Sequence, residues 1–153
     1  MIGIRAATIA DAEVISGVLI ASITELRVAD HGGRPDDLAA WLTHKDPVAV
    51  GAMLGDPRQR VLVAEIDGAV AAVGAVEPAE RLVALNYVSP RHRFAGVSST
   101  LLGALEAALG AGEAHLSSTA TARGFYRARG WTETGEIVTW RGLTAYPMRK
   151  QLS

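Results

Sequence analysis

Between Leu82 and Leu109 the sequence passes from strand to helix with only a short basic turn between them, and few chain paths allow that. Leu82 to Val88 is an apolar run that stops at Pro90, as a strand does. Arg91-His92-Arg93-Phe94-Ala95-Gly96 is the turn. From Ser98 to Leu109 the apolar residues Leu101, Leu102, Leu105, Ala108 and Leu109 fall at helical spacing, and Gly110 and Gly112 end the run. A strand feeding straight into an amphipathic helix commits the chain to helices layered on a sheet. The same junction gathers unpaired backbone N–H groups and the positive end of a helix dipole beside Arg91 and Arg93. That arrangement suits a phosphate or pyrophosphate.

The remaining chain fits this frame. Ile2 to Ala6 reads as a first strand, and Thr8 with Asp11 resembles a capping box. Ile9, Ala12, Ile15, Leu19, Ile23 and Leu26 predict a helix running to about Ala29, broken by Asp30-His31-Gly32-Gly33-Arg34-Pro35. A second helix carries Leu38, Trp41 and Leu42 on one face, with Trp41 and Leu42 expected in the core. Pro47 to Leu54 predicts a further short helix. Val61 to Ile66 and Ala69 to Val76 are strands joined by Asp67-Gly68, a strong hairpin signal. Ala114 to Ser118 predicts a strand, and Thr121 to Arg129 a helix closed by Gly130. Glu136 to Trp140 and Thr144 to Arg149 predict a terminal hairpin turned at Arg141-Gly142. The expected order is βααβββαβαββ, an α/β fold around a mixed sheet in a single domain of 153 residues.

Composition removes several functions. The chain has no cysteine, which excludes disulfides, thiolate metal sites and a cysteine nucleophile. Its four histidines, His31, His44, His92 and His115, lack ligand spacing, so no metal is expected. A formal charge of −1 and eight aromatic residues without basic interleaving argue against a nucleic-acid partner. The apolar run from Ala69 to Val76 is too short to span a membrane, and the N-terminus lacks a signal-peptide pattern. A soluble cytoplasmic protein is expected.

Two motifs in order carry a family resemblance. Arg93-Phe94-Ala95-Gly96-Val97-Ser98 fits a phosphate-loop pattern of Arg or Gln, two residues, Gly, one residue and a small residue. Thr119, Ala122, Phe125-Tyr126 and Gly130-Trp131 fit a later pattern that opens on Asn and ends on Gly-Phe. With Thr119 and Ser98 as departures, the chain resembles the GCN5-related N-acetyltransferase superfamily, in which acetyl passes from acetyl-CoA to an amine.

The resemblance implies a fold, a cofactor and a set of site residues. The backbone of Phe94, Ala95, Gly96, Val97, Ser98 and Ser99 would hold the pyrophosphate of acetyl-CoA, with Arg91 and Arg93 adding charge. Gly96 matters because a Cβ there would hold the phosphate off the backbone. Thr119, Ala122, Phe125 and Tyr126 would complete the cofactor site. Arg123 and Arg127 are candidates for the ribose phosphate, with exposed helix surface the favoured reading. A bulge near the end of Leu82–Val88 would splay that strand from its neighbour. The Val88 N–H would then stabilise the oxyanion, and Tyr126 would protonate the leaving thiolate. The base is open: Glu77, Asn86 as a water or substrate holder, Asp30, His31, or a water relay. The acceptor is a small amine or amino acid, with a protein amine or a non-catalytic acyl-CoA-binding module as alternatives. Trp140 and Tyr146 are placed in the acceptor pocket, a dimer seam or ordinary sheet packing, and a homodimer through the terminal strands is expected.

Overall fold

The structure, a computed structural model, describes residues 1–93, 95–140 and 142–153, and for Trp140 the backbone alone. Eight strands form one sheet: β1 (Ile2–Ala6), β2 (Arg60–Ile66), β3 (Ala69–Glu77), β4 (Leu82–Val88), β5 (Gly112–Ser118), β6 (Thr132–Glu133), β7 (Val138–Trp140) and β8 (Leu143–Leu152). Their spatial order is β1-β2-β3-β4-β5-β8-β6, with β7 on β8. Among the described residues six α-helices accompany them: α1 (Ala12–Leu26), α2 (Val28–His31), α3 (Pro35–Leu42), α4 (Pro47–Leu54), α5 (Val97–Leu109) and α6 (Arg123–Arg127). Among the described residues no helix is long and apolar enough to cross a membrane.

The alternation of β2 and β3 feeds two cores. Val61, Val63, Val73 and Ala75 face α1 and α4, joining Ile15, Leu19 and Val50. Ala64, Ala72 and Val76 face α5, joining Leu101, Leu102, Leu105, Trp131 and Met148. Helices thus cover both sides of the sheet, as the sequence pattern predicts. The Asp67-Gly68 turn has positive φ at both positions, 51° and 83°, the geometry that tightens a two-residue hairpin.

Several boundaries depart from expectation. The first helix ends at Leu26, not Ala29: Arg27 leaves the helical region at φ −114°, ψ 23°, and the short α2 restarts at Val28. The helix expected over 121–129 spans Arg123–Arg127, and β5 begins at Gly112. No residue of α3 is fully buried; Trp41 and Leu42 are only partly so. The Thr8–Asp11 capping box is present, with the Thr8 N–H donating to the Asp11 carboxylate at 2.7 Å. Of the terminal turn, Arg141 lies outside the described residues, and Gly142 has φ +77°.

The break between β4 and β5 positions the site. These strands run parallel and share a single paired position, Leu82 with His115, beside a bond from the His115 N–H to the Arg81 carbonyl at 2.8 Å. On its other edge β5 pairs along its whole length with β8. On its other side β4 carries a bulge: Ala75 faces Leu85 and Val76 faces Val83, leaving Ala84 extra. Such a bulge bends and twists the strand that carries it. The bulge lies nearer the start of β4 than its end, and the strand diverges from β5 after it.

Candidate active site

A cleft of about 490 Å³ opens where β4 meets α5 and α6. Gly96 sits in the left-handed region, φ +79°, immediately before α5, and open space surrounds the position of a Cβ there. Only glycine takes that conformation without strain. The N–H groups of Val97, Ser98 and Ser99 have no carbonyl one turn back within the helix, so they are available to an anion. Arg93 also lines this end of the cleft.

Arg129 strengthens the same end. Its Nε donates to Ser99 Oγ at 2.9 Å, its Nη1 donates to the Phe125 carbonyl at 3.0 Å, and its guanidinium lies 3.9 Å from the Phe125 ring centroid. The sequence reading passed over Arg129. Its signal is the four-residue spacing from Phe125, which one helical turn brings together. Arg123 and Arg127 instead turn to Glu133 on β6; Arg127 bonds its carboxylate, and Arg123 also stacks on Tyr146 at 3.9 Å. That pairing bears on the favoured reading of these two arginines as helix surface rather than ribose-phosphate partners.

At the far end of the cleft stands Tyr126, 7 % exposed. The Asn86 Nδ2 donates to its hydroxyl oxygen at 3.2 Å, an amide orientation assigned from the bonding network. The tyrosine proton is therefore left to donate elsewhere. Burial pushes the Tyr126 phenol up from its ordinary value, while the Asn86 bond and the charge of Arg27 pull it back. Tyr126 stays protonated at neutral pH.

The diverging strands leave a wedge lined by Val83 to Tyr87 on one side and Leu116 to Thr119 on the other. It shares Arg27, Asn86, Ala122 and Tyr126 with the cleft. It shares Tyr87 and residues 117–119 with a chamber of about 230 Å³ walled by Asp30, Trp41, Leu143 and Ala145. The wedge thus adjoins both the cleft and the chamber. The Ser89 N–H donates to the Ala71 carbonyl at 2.7 Å. Alternation along an antiparallel ladder then turns the N–H of Val88 away from β3, and Val88 lines the cleft.

Of the residues expected at the site, Asn86, Val88, Arg93, Gly96, Val97, Ser98, Ser99, Ala122, Phe125 and Tyr126 all line the cleft. Thr119 lines the wedge and chamber; its Oγ1 accepts the Ala122 N–H at 3.2 Å and so helps start α6. Phe94 lies outside the described residues. Arg91 belongs to a separate groove with Arg5, Asp11 and Glu65, and Ala95 is exposed without lining the cleft. Glu77 faces Leu82 across the ladder while Asn86 faces Gly74, so Glu77 stands at the opposite end of the strand pair. Its carboxylate meets Gln59 Nε2 at 3.5 Å, and it lines neither cleft, wedge nor chamber.

His31 and Asp30 are committed to structure. The buried His31 ring accepts the Gly33 N–H on Nδ1 at 2.9 Å, so its Nε2 carries the proton donated to the Ile23 carbonyl at 3.0 Å. Both nitrogens are occupied, which leaves no lone pair for a base. The Asp30 carboxylate accepts the Thr121 N–H at 3.3 Å and also the Thr121 hydroxyl. Trp41, expected in the core, forms a wall of the chamber and meets His31 edge-on at 6.1 Å.

A sheet split between two parallel strands, with a helix start at one mouth, leaves an elongated space beside a second cavity. Residues 28–152 match the model of the acetyltransferase (GNAT) domain. The fold is similar to a GCN5-related N-acetyltransferase from Rhodopseudomonas palustris, at 25 % identity and a TM-score of 0.86 over 98 % of this chain and 95 % of that one. It is also similar to the PaiA N-acetyltransferase from Thermoplasma acidophilum in complex with coenzyme A, at 17 % identity and a TM-score of 0.79 over 99 % of each chain. A third likeness is yncA, a putative acetyltransferase from Salmonella typhimurium with acetyl-CoA, at 23 % identity and a TM-score of 0.65 over 100 % of this chain and 95 % of that one. No curated protein sequence matches the chain. The chain belongs to the GNAT family of acetyltransferases, enzymes whose acyl donor is acetyl-CoA.

Proposed function

We propose that this enzyme transfers acetyl from acetyl-CoA directly to the primary amine of a small molecule. The continuity of cleft, wedge and chamber, with the Tyr126 hydroxyl between them, is the observation that carries this reading. The N–H groups of Val97 to Ser99, with Arg93 and Arg129, bind the pyrophosphate end. The pantetheine arm takes the unpaired edge of β4 as a strand would, and the acceptor enters from the chamber. A chamber of about 230 Å³ between Trp41, Tyr87 and Leu143 favours a small acceptor over a protein side chain.

The neutral amine attacks the thioester carbonyl carbon, forming the C–N bond as the carbonyl π pair moves to oxygen. The Val88 N–H supports that oxyanion. When the C–O double bond reforms, the C–S bond breaks and its electron pair leaves on sulfur. The Tyr126 hydroxyl gives the thiolate its proton. The proton lost by the new amide nitrogen returns through water held near Asn86 to Tyr126. From ordinary values of about 8.5 for a thiol and 10 for tyrosine, the tyrosine-to-thiolate transfer costs at least about 2 kcal/mol. The Asn86 bond and Arg27 charge both reduce that cost by lowering the Tyr126 pKa.

Tyr126→Phe tests the assignment. The expected loss in kcat is on the order of 10²-fold, with acetyl-CoA affinity kept. Equal kcat in the two proteins removes Tyr126 from the mechanism.

A further inference from the structure

Arg27 is a cation at the reacting point: its charge acts on the Tyr126 phenol, but the donor chemistry leaves its guanidinium without an acceptor. It stands at the break between α1 and α2, half-buried, and lines both cleft and wedge beside Asn86 and Tyr126. Among the described residues no carboxylate forms an ion pair with it. Its Nε is buried with no hydrogen-bond partner, and its guanidinium lies 5.7 Å from the Tyr87 ring centroid. Asp30, three residues on, is held by Thr121. A buried guanidinium donor without an acceptor is costly, and native structures rarely leave one without a purpose.

The phosphates of the donor are expected at the other end of the cleft, with Gly96, Ser99 and Arg129. The thioester is neutral. An anion reaching Arg27 must therefore come with the acceptor. A guanidinium fork matches a carboxylate in two parallel bonds. Next to it, the chamber offers Trp41, Tyr87, Leu143 and Ala145 as mostly apolar walls.

Resting on the acetyl-transfer reading above, we infer that Arg27 binds the carboxylate of the acceptor, which is an α-amino acid with an apolar side chain seated in the chamber. The α-carboxylate on Arg27 would hold the amine in the wedge, facing the thioester.

The test compares L-phenylalanine and L-leucine with phenethylamine and isoamylamine, their counterparts without the carboxylate. Thiol release from acetyl-CoA is followed with a thiol reagent, which meets no protein thiol because the chain has no cysteine. The amino acids are expected to exceed the matched amines at least tenfold in kcat/KM. In Arg27→Met that ratio is expected to fall toward one through KM for the amino acid, and Arg27→Lys to restore part of it. Thermal melting of each variant checks folding. Amines used as well as the amino acids would overturn the inference. So would an Arg27→Met variant whose KM for the amino acids is unchanged, whatever its kcat, because Arg27 would then act only on Tyr126 or the oxyanion. Acetyl-CoA binding without acetylation of either amino acid overturns the acceptor assignment alone. Failure of the wild type to bind acetyl-CoA overturns the donor reading itself.

Discussion

Asp11 shows how one side chain serves several ends at residue scale. Its carboxylate receives both terminal nitrogens of Arg5 at 2.8 Å and the Thr8 N–H at 2.7 Å, fixing β1 to the entry of α1. Those bonds, Arg5 first and Thr8 second, hold its pKa well below the usual carboxylate range. A carboxylate depressed in the folded state adds stability that is present above its unfolded pKa, near 4, and fades as pH falls below that. Asp11→Asn is therefore expected to be less stable than wild type at pH 7, with the gap narrowing toward pH 3 in urea unfolding. A gap that stays constant over that range would mean that the loss comes from packing rather than charge. Arg129 makes the complementary point. Its role is set by Ser99 and Phe125: the spacing from Phe125 is local, but the bond to Ser99 joins residues 30 apart.

At the scale of elements, β4 and β5 are held together at one end and parted at the other. The closed end depends on Arg81, whose guanidinium donates to the carbonyls of Leu109 at 2.9 Å, Gly110 at 2.8 Å and Glu113 at 2.7 Å. It satisfies the end of α5 and ties it to the start of β5. Arg81→Ala is expected to cost about 2 kcal/mol of stability in urea unfolding while leaving acetyl-CoA affinity near that of wild type. A loss of both together would place Arg81 in the support of the wedge. The elements themselves were largely legible. Val61 to Val76 carried its hairpin in Asp67-Gly68, and Leu82 to Leu109 carried strand, turn and helix in order. The boundary at Arg27 was hidden, because Val28 and Ala29 follow Leu26 with no glycine or proline to mark where the backbone turns away.

For the whole molecule, the residues expected around the donor lie close together in the sequence, whereas those walling the chamber do not. The expected phosphate end is one contiguous segment, Arg93 to Ser99, of which Arg93, Gly96, Val97, Ser98 and Ser99 line the cleft, so a local pattern can point to it. The chamber draws Asp30, Trp41, Tyr87, Ser117 and Leu143 from distant parts of the chain. No periodicity announces such a meeting, which is why Trp41 read as core. Glu77 illustrates the reverse: it lies close in sequence to β4, yet the antiparallel ladder carries it to the far end.

On the proposed reading acetyl-CoA occupies the cleft with its pyrophosphate at Gly96. The most direct test is calorimetric titration of acetyl-CoA into the wild type and Gly96→Trp, with circular dichroism to show that the variant is folded. Micromolar binding by the wild type, abolished in the folded variant, is the predicted result. Binding that survives Gly96→Trp unchanged, or no binding by the wild type, would contradict it.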